Sequence, residues 1–507
     1  MNPAFDFRKL FIFDLANNHQ GQLDHGRHIV RAVGEVARVA GVRAALKFQF
    51  RQLETFIHPA HQRGSTAKHI PRFLETKLSE EDYAALAQEV VSSQMVTMAT
   101  PFDEESVGML ERLNIEVAKI ASCSARDWPL LERVADSNRP VVVSTGGLSL
   151  SDIDNIVSFF DHKRVHFALM HCVSIYPIPD EHMQLRQIAL LRRRYPGKVI
   201  GFSTHELPGD TQTVIAAVAL GAELLERHVG IPTESIQLNK YSSTPEELAA
   251  WISAAGRAEK LCGVDGQRPR AAGEEEDSIQ SLRRGVYARQ PLKEGTALST
   301  VDVYFAMPCE DGQLSSGEFR CGVVLSGDAD VDDAIKTASL VRTQDVEKQN
   351  LFAAIHTIKA MLNEAHIPLS TDFEAEFSHH FGLAQFAEWG ATIITCVNRS
   401  YCKKLVIQTP GQKHPSHYHK RKEETFQVLY GELEVEVEGR RRKLLPGDTL
   451  LVQQGVWHEF SSQTGVIFEE ISTQHYNDDS FYEDKRLNSI PRSARKTVVN
   501  NWGRYQI

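Results

Sequence analysis

LLERHVG, residues 224–230, sets an apolar run directly before a glutamate, an arginine and a histidine, and seven runs of the same kind precede it. In chain order they read FIFDLAN from residue 11, RAALKFQ from 43, MVTMATP from 95 and VAKIAS from 117. VVVST from 141, HFALMHC from 166 and VIGFSTH from 199 complete the series. Helix-like segments lie between most of them, including VRAVGEVARVA (30–40) and TVIAAVALG (213–221). Eight strands alternating with helices over about 260 residues predict an α/β fold, a closed parallel (β/α)8 TIM barrel. The active site of such a barrel lies where the C-terminal strand ends meet. The residues expected there are Asp14, Asn18, His19, Lys47, Gln49, Thr100, Lys119 and Ser122, followed by Ser144, Ser174, Ser203, His205, Glu226 and His228.

This inventory has a chemical sense. Two lysines and several hydroxyls around one mouth suit a phosphate and a carboxylate, because ammonium and hydroxyl donors answer oxyanions. His205 and His228 close neighbouring strands, so their imidazoles are placed to share a divalent metal; either alone also reads as a packed core histidine. Lys47 and Lys119 follow apolar runs, and a buried lysine requires an anionic partner.

The stretches DLANNHQG (14–21), LKFQ (46–49), ATPFD (99–103), AKIASCSARDWPL (118–130), VVVSTGG (141–147), LMHCVSIYPIP (169–179), IGFSTHE (200–206) and LERHVG (225–230) resemble the N-acetylneuraminate (sialic acid) synthase family. The similarity extends through SLRRGVYARQPLKEGTALSTVDVYFAMP (281–308), which resembles that family's small antifreeze-like (SAF) domain. The resemblance implies a transferase that condenses phosphoenolpyruvate with a hexosamine-derived aldose. It also implies a barrel metal, Mn or Mg, and a homodimer in which the antifreeze-like domain reaches the partner barrel. Substrate binding falls by resemblance to Lys47, Gln49, Lys119, Ser122, Ser144, Ser174, Tyr176 and Ser203, metal binding to His205 and His228, and catalysis to Asp14, Lys47 and His205. Asp14 is then the candidate for handling the attacking water or the developing hydroxyl proton.

On the acceptor side this chain departs from the family pattern. Asp14 stands for a Glu and Ser124 for another Glu; apart from that side, Ser174 stands where the family usually has an Asn. Leu238-Asn239-Lys240 occupies the place of an expected Asp, and Met307 that of the Arg that reaches the sugar's N-acyl group. Sugar identity is written in such pairing groups, so an acceptor other than N-acetylmannosamine is expected. Lys240 or Arg126 could instead supply the same contacts from shifted positions.

A second module follows. TPGQKHPSHYHKRKEETFQVLYGELEVEVEGRRRKLLPGDTLLVQQGVWHEF (409–460) alternates as strands do, with turn signals at GE, EG and PGD. It resembles the two motifs of the cupin domain, a β jelly roll, with Gln453 in the place of a usual Pro. His417 and His419 alternate and so share one strand face. With Glu424 and His458 they form a three-histidine, one-carboxylate set suited to Mn, Fe, Ni or Zn, although a metal-free jelly roll would keep the same fold. Glu459 and Tyr418 are possible bases that alternation turns away from that face. The expected organisation is barrel 1–270, antifreeze-like domain 278–340, linker 341–395, cupin 396–475 and tail 476–507.

Bulk properties fit an intracellular, cytoplasmic enzyme. The 507 residues are 42% hydrophobic with a net charge of −10, which argues against a nucleic-acid partner. Seven cysteines without a CxxC pair, mostly in apolar runs, are expected as reduced thiols. No signal peptide or membrane-span pattern is expected. Arg192–Arg194 and Arg440–Lys443 read as solvated surface, Glu274–Asp277 as a linker, and GSTAKHIPRF (64–73) as a loop over the mouth offering Lys68 or Arg72 to ligand. Two functions remain open at this level. One is an active phosphoenolpyruvate-dependent synthase making a nonulosonate-like 2-keto-3-deoxy sugar acid, with an accessory cupin. The other is a ligand-binding relic of a barrel, with the cupin as a metal-dependent sugar isomerase or epimerase.

Overall fold

The computed structural model describes residues 5–63, 65–264, 268–341, 346–370, 372–500 and 502. It comprises two compact units, Met1–Arg270 and Ala271–Ile507.

In the first unit the strands are β1 (Leu10–Asp14), β2 (Arg43–Phe50), β3 (Val96–Pro101), β4 (Val117–Ile120), β5 (Val141–Ser144), β6 (Phe167–Cys172), β7 (Ile200–Thr204) and β8 (Leu224–His228). They close in sequence order into a parallel barrel, with β1 paired to both β2 and β8. Side chains alternate across a strand, and the alternation sorts them cleanly. Ile12, Ala45, Met98, Val117, Val142, Ala168, Met170 and Leu224 form one buried cluster, whereas Phe13, Leu46, Phe48 and Leu225 join the larger cluster that includes the helices. Two residues beyond members of the first cluster come Asp14, Lys47, Lys119, Ser144 and Glu226. The polar set thus continues the inward rows.

Helix Leu23–Ala40 shows how the outer layer forms. Ile29, Val30, Val33 and Ala37 make its buried stripe, Arg31, Glu35 and Arg38 face out, and Gly41 ends it in the left-handed region. Helix Pro245–Cys262 starts with a capping box between Thr244 and Glu247 and buries Trp251. Residues 64–73 differ from the expected loop: Gly64 lies outside the described residues, and Ile70–Glu75 is helical.

The second unit begins with helix Gly273–Ser281, so the acidic run Glu274–Asp277 is helical rather than an extended linker. Two small antiparallel pairs follow, Gly285–Ala288 with Val303–Ala306 and Val324–Leu325 with Leu340–Val341. Val286, Ala288, Leu298 and Val303 are among the residues of their core. The jelly roll has a seven-stranded sheet in the order Thr449–Val452, Glu424–Gly431, Val466–Thr473, Tyr401–Gln408, Ala391–Asn398, Glu374–Ser378, Lys496–Asn500. A five-stranded sheet runs Arg440–Leu444, Leu433–Val437, His458–Ser461, Lys413–Tyr418, Phe481–Tyr482.

This changes the reading of two segments. Residues 341–395, expected as a linker, contain helix Val346–Glu364 and strands of the larger sheet, while 342–345 lie outside the described residues. The helix shares a core with Phe377, Phe386 and Ile394, and that apolar burial is what holds the segment in place. The expected tail, 476–507, supplies a strand to each sheet. The seven cysteines are unpaired, and Cys123, Cys262, Cys321 and Cys396 are exposed. Among the described residues no helix is long and apolar enough to cross a membrane.

Gly201 on β7 lies opposite Leu224 of β8, where an added Cβ would run into the Leu224 carbonyl oxygen. Gly201→Ala is therefore expected to destabilise the barrel by about 1–3 kcal/mol, through forced separation of two packed strands. Chemical denaturation followed by tryptophan fluorescence checks this; an unchanged midpoint would refute the close-approach argument.

Candidate functional site

The inward rows converge on a carboxylate. Glu226 Oε1 accepts from Lys47 Nζ at 2.8 Å and from Ser203 Oγ at 3.1 Å, and Glu226 Oε2 lies 3.6 Å from Lys119 Nζ. Lys47 also lies 2.9 Å from Asp14 Oδ2, and Lys119 donates to Ser144 Oγ. All four charged side chains are at most 5% exposed. Burial alone would discharge them, but their mutual attraction opposes this. Asp14 and Glu226 therefore outweigh burial and raise the Lys47 pKa. Burial raises the Glu226 carboxyl, and Lys119 and Lys47 outweigh it to hold the group ionised. For Lys119 burial prevails over Glu226 and lowers the pKa. Burial likewise pushes Asp14 up, and Lys47 outweighs it to bring the group below the ordinary carboxylate range.

Beside this cluster the His205 and His228 rings lie 5.3 Å apart, centroid to centroid. His205 Nδ1 donates to the Val173 carbonyl at 3.1 Å, which leaves Nε2 as the lone pair. Burial, reinforced by His228, pulls the His205 pKa down to about 3, so the ring is neutral. Burial also lowers His228, whose Nε2 sits 3.4 Å from Asp14 while its buried Nδ1 has no hydrogen-bond partner. Two neutral imidazoles beside a carboxylate, one with an orphaned ring nitrogen, suit a divalent cation.

The remaining expected residues spread around this centre. Ser122 Oγ accepts from the Gly146 amide at 3.0 Å, and a Cβ at Gly146 would strike both Ser122 and Ser174 hydroxyls. Gln49 Nε2 donates to Asp14 at 3.4 Å, and Thr100 is buried at the end of β3. Asn18 instead ties the β1 loop to the β8 loop through the Val229 carbonyl and the Ser242 hydroxyl. His19 is buried, accepting from the Gly21 amide. Arg72 donates to Gln20 and to the Asn17 carbonyl, holding its segment against the β1 loop.

Three features were not read from the sequence. Glu226 was placed at the mouth, but its role as shared partner of both lysines was not; its position two residues before His228 on an alternating strand was the available signal. Tyr241, in the loop after β8, has its ring 5.2 Å from that of His228 and 5.2 Å from that of Tyr176, which in turn sits 4.2 Å from His205. No strand-end pattern marks it. Arg51 lies between the faces of Phe73 and Phe102 and donates to Gln49 at 3.2 Å. Burial lowers its pKa to about 10.

In the jelly roll, His417, His419, Glu424 and His458 are all buried, and each offers a donor atom within 4.8 Å of the others. Each histidine gives its Nδ1–H to a backbone carbonyl: His417 to Pro415 at 3.0 Å, His458 to Val456 at 3.1 Å, and His419 to Asp479. The three Nε2 lone pairs are thereby left available. Glu424 Oε2 and His458 Nε2 lie 3.2 Å apart, buried and without hydrogen-bond partners. The donor set and these orphaned atoms fit a divalent metal. Glu459 is half-buried and paired in register with Glu436, on the neighbouring strand.

Comparison with known proteins agrees with both modules. Residues 34–267 match the NeuB family and residues 404–468 the cupin domain. The chain is 42% identical, with a TM-score of 0.64, to a candidate spore coat polysaccharide biosynthesis protein E of Chromobacterium violaceum known from its crystal structure; 66% of this chain and 100% of that one are covered. It is 29% identical over 293 residues to N-acetylneuraminate-9-phosphate synthase of Homo sapiens, covering 57% of this chain and 80% of the relative. It is 27% identical over 347 residues to N,N'-diacetyllegionaminic acid synthase of Campylobacter jejuni, covering 65% and 99%. The chain belongs to the NeuB family, as an enzyme of the carbon–carbon bond-forming transferase class, and carries a cupin domain.

Removing the central carboxylate while keeping its shape leaves two buried ammoniums with too little compensation. Glu226→Gln should destabilise the barrel by about 3–5 kcal/mol, and adding Lys119→Met should recover part of that loss. Denaturant titration of the two single variants and the double variant checks the coupling; strict additivity would exclude it.

Proposed function

We propose that the barrel of this NeuB-family enzyme condenses phosphoenolpyruvate with an open-chain aldose, releasing phosphate and a 2-keto-3-deoxy, nonulosonate-like acid. The observation that carries this reading is the charge balance of the mouth. Lys47 and Lys119 are matched by Asp14 and Glu226, so the buried cluster is neutral as it stands. A divalent ion, Mn or Mg, on His205 and His228 would leave a positive surplus in a low-dielectric site, which favours a small multiply charged anion.

When bound, that ion would supply Lewis-acid polarisation of the aldehyde oxygen. The chain's own residues do the rest. Lys47, Lys119, Ser122, Ser144 and Ser203 hold the phosphate and carboxylate and present carbon three of phosphoenolpyruvate to the aldehyde carbon. Gln49, Ser174 and Tyr176 line the approach. Asp14, kept ionised by Lys47, accepts a hydrogen bond from the water that adds at carbon two and orients it. With an already low pKa, it is better suited to orient that water than to carry its proton. The aldose reading rests on the acceptor side. The side chains of Ser124, Leu238 and Met307 carry no charge, and Tyr176 and Tyr241 add an aromatic wall beside the histidines. The absence of charge at these three positions, where the family resemblance expects charged groups, supports an aldose other than N-acetylmannosamine. Residues 278–340 are assigned as an antifreeze-like domain reaching a partner barrel in a cytoplasmic homodimer, and the cupin as accessory to the condensation.

His205→Ala and His228→Ala should each lower metal-dependent phosphate release by about a hundredfold or more, in line with removal of a single electrostatic stabiliser, while circular dichroism stays unchanged. Near-unaltered turnover in His228→Ala would remove the metal assignment.

Phosphate release across a panel of aldoses tests the acceptor. N-acetylmannosamine should be a poor substrate, and Met307→Arg should raise its use only slightly because Ser124 and Leu238 remain. Efficient turnover of N-acetylmannosamine by the unaltered enzyme would overturn this part.

A further inference from the structure

The jelly-roll pocket contains charged groups that its metal set does not account for. Lys404 and Lys422, 6% and 3% exposed, both contact the same oxygen of Glu470, at 3.0 and 2.9 Å. Lys422 also contacts Glu424, the carboxylate of the metal set. In the same pocket, and more exposed, Lys496 and Arg492 likewise share one carboxylate, Glu376. Four cationic side chains thus line the pocket against three carboxylates.

A divalent ion on the unpartnered Oε2 of Glu424 would draw on the carboxylate charge that Lys422 meets at Oε1. The remaining compensation for Lys404 and Lys422 is Glu470, with His475 beside Lys404, in a pocket walled by Phe426, Phe460 and Phe468. Three positive charges in excess (one from the side chains, two from the ion) cannot stay unanswered in such surroundings. An ion that takes more than four ligands would also have room for a further oxygen donor beside the four protein donors.

We propose that the metal-loaded jelly roll binds a small α-hydroxy or α-keto carboxylate. Its carboxylate and neighbouring oxygen would complete the coordination of the ion held by His417, His419, Glu424 and His458, and Lys404 and Lys422 would face its negative charge. A neutral sugar would leave the whole surplus unmatched, whereas a carboxylate answers part of it. The 2-keto acid proposed as the barrel's product carries the same carboxylate and α-keto oxygen on a longer chain, yet the inference stands without it, because it follows from the pocket's own residues.

The probe is glycolate, compared with its uncharged analogue glycolamide. The full chain carrying His228→Ala, which silences the proposed barrel metal site, is loaded with Co(II), and the visible absorption of the cobalt is followed during titration. Glycolate should bind at least about tenfold more tightly than glycolamide, as expected for a charge-assisted contact. Lys404→Gln should weaken glycolate by about tenfold and leave Co(II) affinity within about threefold, while Lys404→Arg should retain glycolate binding. Adding His417→Ala should abolish the spectral response. Equal affinity for the two probes, glycolate binding without metal, or an unchanged response in Lys404→Gln would each overturn the proposal. If Lys404→Gln fails to fold, the probe comparison and the metal requirement decide it in the chain with Lys404 intact. These readouts are independent of condensation, so an inactive barrel would leave this result standing, and a failed titration would leave the barrel reading standing.

Discussion

A carboxylate buried between two ammonium groups organises the mouth of the barrel. Glu226 bonds Lys47, faces Lys119 and accepts from Ser203, so that β2, β4, β7 and β8 are all fixed by one side chain. An ion taken out of water loses several kcal/mol of hydration, which only close and well-bonded partners offset. The set is therefore close to all-or-none. It fixes the neighbouring charges of Lys47, which stays protonated, and Asp14, which stays ionised, while burial keeps the adjacent His205 neutral. Neutral imidazoles are the form that can ligate a metal, so the ion-pair cluster and the proposed metal site are parts of one electrostatic arrangement.

The jelly roll repeats the motif with different emphasis. Glu470 joins two lysines as Glu226 does, but the neighbouring carboxylate, Glu424, is shared between a lysine and histidines. The backbone settles the histidines, since three carbonyls each take an Nδ1–H and direct the Nε2 atoms inward. Fixing rings through their distal nitrogen gives a preorganised donor set without using another side chain.

How much of this the sequence discloses depends on the range of each interaction. Strand position is a local property, carried by apolar runs whose polar ends continue the inward row, and all eight barrel strands lie where those runs fall. The pairing of Lys47 with Glu226 spans 179 residues, and nothing in either neighbourhood specifies it. In the jelly roll the metal set sits on compact motifs and is legible. The outer strands Glu374–Ser378 and Lys496–Asn500, paired across more than a hundred residues, are short and of mixed polarity, so they read as linker and tail. Tyr241 falls between these cases. It lies in an irregular loop, where no period indicates which way a ring faces, and only the fold brings it against His228.

The two sites lead to a common thermodynamic argument. The barrel cluster balances its own charge among its four side chains, and the jelly-roll pocket nearly does among its seven. A divalent ion upsets that balance in surroundings that screen charge poorly, and an anion restores it. Cation and anion then favour each other's binding by the same free energy, because linkage between two sites is reciprocal. An anionic substrate would on this view be held weakly before the ion and firmly after it. The order follows from buried charge alone and requires no conformational change to enforce it.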